Sequence, residues 1–322
     1  MTADLWHAVA RSRDLRRKPI RVRFGGKPVA LFRNGTGVSA LHDQCPHRLV
    51  PLSDGRVVGD TIECPYHGWR FSGDGTCVDM PGTVEALPRC RVPRYRVLEA
   101  EGGIFLSSGQ PPAPPVIHPL QGQDIVSQVV KSTTRSTLVD VAENILDATH
   151  THYTHKGLLR GLSAKRYRVQ VEVTRGPDWV EAVYTGEERQ HGLVSALLDG
   201  SRTKGVGRYR RPGIAELEYW GPRGMVLATT FHLRQTDAET VEGIGWLSAP
   251  RQHGLGHLKA LFFKPMFRVA LEQDRRVLAS ALENGRGSTR MIGPLDILRR
   301  EIELIEAGQT LTPGVQHYEM EI

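Results

Sequence analysis

Cysteine is scarce, with four residues in 322, which excludes a disulfide scaffold. No apolar run approaches the roughly 20 residues that span a bilayer. The opening MTADLWHAVARSRDLRRKPI has no apolar stretch of the signal-peptide kind before its charges begin. There is no polybasic tail and no aromatic-basic pattern of the RNA-binding kind. Gly35-Thr-Gly37-Val-Ser-Ala40 mimics a dinucleotide fingerprint but sits in a hairpin context with no helix after it. Gly254-Leu-Gly256 lacks the rest of that fingerprint, so both read as turns. These absences lead to the expectation of a cytoplasmic protein with no membrane span and no nucleic-acid partner.

What is present suffices for a packed core. Hydrophobic residues are 39% and charged residues 24%, which excludes wholesale disorder. The length suits about two domains at roughly 150 residues each. Basic residues exceed acidic ones by 42 − 35 = 7, most densely between Arg11 and Arg23 and between Arg202 and Arg211. A solvated basic surface is the plain reading; a docking face for an acidic electron-transfer partner is the sharper one.

Residues 1–108 read as an all-β domain. Short apolar runs (Ile20–Phe24, Val29–Phe32, Val38–Leu41, Ile104–Leu106) alternate with Gly and Pro punctuation. Five prolines between Gly109 and Pro119 resist helix and central strand alike, so 109–122 is expected to be a stiff linker. Residues 123–322 mix types. Tyr167, Val169, Val171 and Val173 alternate with polar neighbours as in a half-buried strand. Further strands are expected at Val180–Thr185, Ala215–Trp220, Met225–Leu233 and Val241–Leu247. Helices are expected at Thr137–Thr149, at Met266–Asn284 with a stop at Gly285, and at Leu295–Glu306 with a stop at Gly308.

Two Cys-His arms stand out. Cys45-Pro-His47 and Cys64-Pro-Tyr-His67 are 16 residues apart. Each offers one soft thiolate and one imidazole. Tetrahedral zinc accepts such donors, but finger-type sites usually pair Cys with Cys and His with His. Mixed arms suit a two-iron cluster with unlike ends, two Cys on one iron and two His on the other. Cys77 and Cys90 belong to neither arm and read as free buried thiols.

The runs Cys45-Pro-His-Arg48 and Cys64-Pro-Tyr-His-Gly-Trp69 resemble the Rieske domain of the Rieske non-haem iron oxygenases. The likeness extends over Leu5–Ser108 and includes Trp6, Asp43, Pro51-Leu52-Ser53 and Gly59-Asp60. It implies a [2Fe-2S] cluster with Cys45 and Cys64 on one iron and His47 and His67 on the other. Respiratory Rieske proteins carry a disulfide across the two loops; the matching positions here are Val50 and Tyr66. A potential near the low end of the Rieske range, about −150 mV, is therefore expected, and a measured value well above zero would contradict it.

The second constellation is Asn144-x2-Asp147-x2-His150-x4-His155, with His152 between. Two histidines plus one carboxylate, with open positions, form the facial triad of non-haem Fe(II) oxygenases. On an ideal helix His150 and His155 lie about 140° apart, so a π-bulge or a helix break is needed to aim both inward. His152 and His155, three apart, share a helical face and are the local rivals. For the carboxylate the candidates are Asp237, Glu272, Asp274 and Glu283. Asp147, three residues before His150, is expected on the same side of a helix, as an acceptor orienting a ligand histidine.

The spacing resembles the iron motif of the same oxygenase family, which implies His150, His155 and Asp274 as ligands of one Fe(2+), with Asn144 near the iron. It also implies that Asp147 joins His67 of one subunit to His150 of the next in a homotrimer, the short route for electrons. The implied fold is α+β: the N-terminal all-β Rieske domain, then a START-like helix-grip catalytic domain with an antiparallel sheet. The implied activity is O2-dependent hydroxylation or oxidative demethylation of a small organic substrate, in the monooxygenase and demethylase branch rather than the dioxygenase branch. Electrons come from a separate NAD(P)H-dependent reductase or ferredoxin. Inserting one oxygen atom requires two electrons beyond those of the substrate bond, and a one-electron cluster beside one ferrous ion meets that need. The apolar runs Gly192–Leu198, Gly224–Thr230 and Leu255–Phe267 suit either an apolar or aromatic ligand or ordinary core. The rival classes are a Rieske electron carrier and a START-like ligand-binding module without turnover.

Overall fold

A computed structural model describes residues 4–120, 124–158, 166–186, 203–251, 255–285 and 291–322, with backbone alone over 255–264. The expected apolar run Gly192–Leu198, the start of Gly254-Leu-Gly256, and the side chains over most of Leu255–Phe267 lie outside the described residues. The chain divides into two compact units, Met1–Pro115 and Val116–Ile322.

The first unit holds β1 (His7–Arg11), β2 (Ile20–Phe24), β3 (Lys27–Asn34), β4 (Gly37–His42), β5 (Arg56–Val58), β6 (Thr61–Glu63), β7 (Arg70–Ser72), β8 (Cys77–Asp79), β9 (Arg96–Ala100) and β10 (Gly103–Ser107). They form three antiparallel sheets, ordered β1-β10-β9, β2-β3-β4 and β5-β6-β7-β8. Two apolar clusters result. One gathers Val9, Leu15, Val29, Leu31, Ile104 and Leu106; the other gathers Phe32, Leu41, Leu52, Ile62 and Phe71 with Cys45 and Cys64.

The second unit is built on one antiparallel sheet. Its strands are β11 (Ile125–Arg135), β12 (Arg168–Arg175), β13 (Trp179–Thr185), β14 (Lys204–Arg210), β15 (Ile214–Gly221), β16 (Gly224–Asp237), β17 (Thr240–Pro250) and β18 (Gly314–Glu321). The order across the sheet is β11-β17-β16-β15-β14-β13-β12-β18. Among the described residues, α1 (Leu138–Leu146), α2 (Leu255–Asn284) and α3 (Arg299–Glu306) pack with it. In β12 the period of two is clear: Val169, Val171 and Val173 are buried and their neighbours are not. Each such side chain contributes about 1.5–3 kcal/mol by leaving water. A sheet with helices packed on it gives the α+β class expected from the sequence.

Some boundaries differ from the expectation. α2 begins at Leu255 and runs through Pro265, which removes one helical amide hydrogen bond without ending the helix. α3 starts at Arg299 rather than Leu295, because Asp296 accepts the Gly293 N–H at 2.6 Å and closes a turn there instead. α1 starts where Thr137 accepts the Asp140 N–H at 3.2 Å, an N-cap. Arg299 ties α1 to α3 through Asp140 at 2.7 Å and Glu143 at 2.6 Å.

Candidate metal centres

In the first unit both Cys-His arms are loops between short strands, one between β4 and β5 and the other between β6 and β7. Asp43 ties the first arm together. Its buried carboxylate accepts the Ser53 N–H and the Ser53 hydroxyl, each at 2.7 Å, and meets Arg21 at 3.2 Å. Within that arm Cys45 N–H donates to Val50 O at 2.9 Å and Leu49 N–H to Cys45 O at 2.8 Å. In the second arm Cys64 N–H donates to Trp69 O at 2.8 Å. Gly68 turns that loop at φ +72°, and a Cβ there would stand 3.2 Å from Pro81, so glycine is required.

The four donors separate by burial. Cys45 and Cys64 are buried in the apolar cluster, whereas His47 and His67 are exposed. Burial, opposed by the His47 and Arg48 backbone amides and helped by the adjacent Cys64 thiol, pushes the Cys45 thiol up to about 11. The two imidazoles lie 4.6 Å apart between ring centroids, and His47 stacks on Trp69 at 4.7 Å. Two inner sulfurs and two outer nitrogens suit a diiron cluster with a buried and a surface end.

In the second unit the histidine motif is a helix terminus. Asp147 ends α1: its Oδ1 accepts the Thr149 N–H at 2.6 Å and the Thr149 hydroxyl at 2.7 Å, and its Oδ2 accepts the His150 N–H at 3.2 Å. Such a local side-chain turn competes with further helix, and the backbone turns extended at Asp147 (ψ 118°). His150–His152 then forms one 3-10 turn. The expectation of Asp147 and His150 on one helical face is corrected accordingly: they meet because the helix stops, with Asp147 Oδ2 3.4 Å from His150 Nδ1. The break also removes the 140° difficulty.

His150 Nε2 and His155 Nε2 lie 3.3 Å apart. Asp274 Oδ1, from the middle of α2, is 3.1 Å from His155 Nε2 and 3.6 Å from His150 Nε2. Donors about 2.1 Å from one cation lie roughly 3.0 Å apart at right angles and roughly 3.4 Å apart at tetrahedral angles. The triangle therefore has the edges that one small cation spans. It is also the only such group among the described residues. Asp274 Oδ1 is buried with no hydrogen-bond donor of its own. Burial would raise the Asp274 carboxyl, but contact with His150 and His155 holds it below the usual carboxylate range. Burial would likewise lower His150, yet Asp147 and Asp274 push it up to about 9. Without a metal the pocket thus favours a positive charge.

Other candidates fall elsewhere. Glu272 is exposed and pairs with Arg276 at 3.2 Å, Glu283 is exposed, and Asp237 ends β16. His152 is half-buried and stands outside the triangle. Asn144 borders two cavities. One, of about 30 Å³, is lined by Val141, Ile145, Phe231, Leu233 and Asp274; the other, of about 230 Å³, lies beside Asp147, Tyr184 and Leu298. Two residues were not singled out from sequence. Gln273 Oε1 accepts from His155 Nδ1 at 2.8 Å, which leaves the Nε2 lone pair for a metal. Tyr184 is buried, and burial together with the Asp147 charge raises its hydroxyl well above the ordinary tyrosine value. Only the position of Gln273 beside Asp274 signalled it.

Comparison with known proteins extends these observations. Residues 5–96 match the Rieske [2Fe-2S] domain. The 4beta-methylsterol monooxygenase of Methylococcus capsulatus is 33% identical over 168 residues, 48% of this chain and 45% of that protein. The oxygenase component of dicamba O-demethylase from Stenotrophomonas maltophilia is 39% identical over 110 residues, 34% of this chain and 32% of that protein. The aligned stretches thus span about half or less of these relatives' lengths. Dicamba monooxygenase bound to 3,6-dichlorosalicylic acid superposes with a TM-score of 0.78 at 22% identity, covering 95% of this chain and 98% of that one. NdmA of Pseudomonas putida CBB5 with caffeine gives 0.78 at 17% identity, covering 98% and 96%. The chain therefore carries an N-terminal Rieske [2Fe-2S] domain and shares its overall fold with dicamba monooxygenase.

Proposed function

We propose that this chain is the terminal oxygenase component of a multi-protein monooxygenase, with Cys45, His47, Cys64 and His67 holding the [2Fe-2S] cluster and His150, His155 and Asp274 holding one Fe(2+). The observation that carries the reading is the three-donor triangle, with one carboxylate and two imidazole nitrogens converging within 4.8 Å, on a chain that also bears the cluster ligands. When bound, the two centres supply the electrons and the O2-binding face that oxygen insertion needs.

The protein's own residues prepare that site. Asp274 contributes the single negative charge that offsets a ferrous ion. Gln273 fixes the His155 tautomer and Asp147 faces the Nδ1 side of His150, so both Nε2 atoms point to one spot. Val141, Ile145, Phe231 and Leu233 make the wall beside Asp274 apolar, which excludes water from that side and favours an apolar or aromatic substrate. Asn144, on the shared wall of both cavities, stands where an amide meets whatever lies next to the metal. The reaction is hydroxylation or oxidative demethylation; relatives named dicamba O-demethylase and methylsterol monooxygenase support that class.

A separate NAD(P)H-dependent reductase or ferredoxin delivers the electrons. The assembly is a homotrimer in which Asp147 links His67 of one subunit to His150 of the next, and it works in the cytoplasm. No described helix is long and apolar enough to cross a membrane. The test is a substrate screen with a generic reductase, following O2 uptake and label from 18O2 into product. Coupled uptake and labelled product are expected. A protein that shuttles electrons without consuming O2 would be an electron carrier instead.

A further inference from the structure

The metal centres leave two thiols unused. Cys77 lies on β8 and Cys90 on the segment that returns past it. Thr76 and Arg91 form an antiparallel bridge, flanked by Cys77 N–H donating to Cys90 O at 2.9 Å and Val92 N–H donating to Gly75 O at 2.8 Å. Next to that bridge, Cys77 faces Cys90 across a single backbone hydrogen bond. Facing residues of antiparallel strands have Cα atoms about 4.5–5.5 Å apart, within the usual disulfide range of about 4.4–6.8 Å. The two thiols interact with each other. Both are reduced, Cys77 buried and Cys90 half-buried, against the apolar cluster that holds Cys45 and Cys64. The loop between them reaches the second arm through Pro81, which stands against Gly68.

We infer that Cys77 and Cys90 are a disulfide-competent pair, closed by a small oxidised thiol compound, which clamps residues 78–89 behind the second cluster arm. The step balances with oxidised glutathione. The half-buried Cys90 sulfur, as thiolate, attacks one glutathione sulfur and releases one reduced glutathione. The Cys77 sulfur then attacks the mixed disulfide and releases the second. Two protons leave, the two cysteines are oxidised, and one glutathione disulfide is reduced. Burial raises both thiols above their ordinary value, so the exchange is slow at neutral pH and faster in alkaline buffer.

The test uses the full-length, cluster-loaded protein in glutathione buffers of stepped redox poise, read by intact mass and non-reducing peptide mapping. The chain should lose two hydrogens, retain no glutathione and yield one peptide pair joined through Cys77 and Cys90, while the cluster's visible absorption persists. Cys77→Ser should stop at a single glutathione on Cys90. Cys90→Ser, at the more tolerant position, should give no internal link. Two persistent glutathione adducts on the parent protein, or both thiols still reduced at the most oxidising poise with the cluster intact, would overturn the inference.

Discussion

Gln273 offers a sharp test of how the second centre is built. Its Oε1 accepts from His155 Nδ1 at 2.8 Å and so holds that ring's proton on Nδ1. Removing the acceptor leaves His155 free to carry its proton on Nε2, the atom aimed at the metal. Loss of such an orienting partner typically costs 10–100-fold in metal affinity, or about 1.4–2.8 kcal/mol at about 1.4 kcal/mol per tenfold. Gln273→Leu keeps bulk and helix propensity, so α2 should survive. Gln273→Glu replaces a neutral acceptor with an anionic one and should bind as tightly as the parent or tighter. The assay is anaerobic competition for ferrous ion against a coloured chelator, with the cluster's absorption as the control for folding. A Leu variant that binds like the parent would refute the reasoning. So would a Glu variant weaker than the Leu variant.

Three further outcomes are expected. Asp147→Asn keeps one oxygen for the Thr149 amide and hydroxyl, so both metal sites should load, but rapid mixing of reduced protein with substrate and O2 should show cluster oxidation slowed at least tenfold; normal kinetics would count against the proposed bridge. Arg299→Met strands Asp140 and Glu143 without their cation and should cost about 3 kcal/mol, the low end for a broken buried pair, read as a shifted denaturant midpoint. Asp74 accepts from Ser72 Oγ at 2.5 Å and from Thr76 N–H at 3.1 Å, pairs with Arg91 at 3.0 Å, and is lowered to about 2, chiefly by Ser72. A carboxyl held below its unfolded value of about 3.9 lends stability above that pH and loses it as pH falls toward 2. Asp74→Asn should therefore flatten the parent's loss of stability between about pH 4 and 2, followed by Trp69 fluorescence.

The two Cys-His arms were legible because each is local: the donors lie within four residues, and Pro and Gly announce the loops. Their spread into buried sulfurs and exposed imidazoles came only from the structure. His150 and His155 were legible as a pair, but the device that aims them was not. Read as periodicity, Asp147 belongs on a helix face; in the folded chain its carboxylate captures the Thr149 and His150 amides and ends the helix. Residue type and spacing alone left Asp237, Glu272, Asp274 and Glu283 open, and only the family resemblance singled out Asp274; the structure brings Asp274 of α2 to the histidines. Among strands, β12 and β13 were visible through Val alternation. β14 (KGVGRYR) and β18 (GVQHYEME) were not, because glycines and charges take the positions where apolar residues would mark a face. In β14 those charges are used: Arg208 and Arg210 pair with Glu216 on the adjacent strand, at 3.4 and 2.7 Å.

The most direct measurement is metal and acid-labile sulfide content of the purified chain and of His150→Ala, alongside the visible spectrum. About three irons and two sulfides per chain are expected, falling to two irons in the variant with its colour unchanged. A colourless protein, zinc in place of iron, or a variant that loses its colour and keeps the third iron would contradict the account.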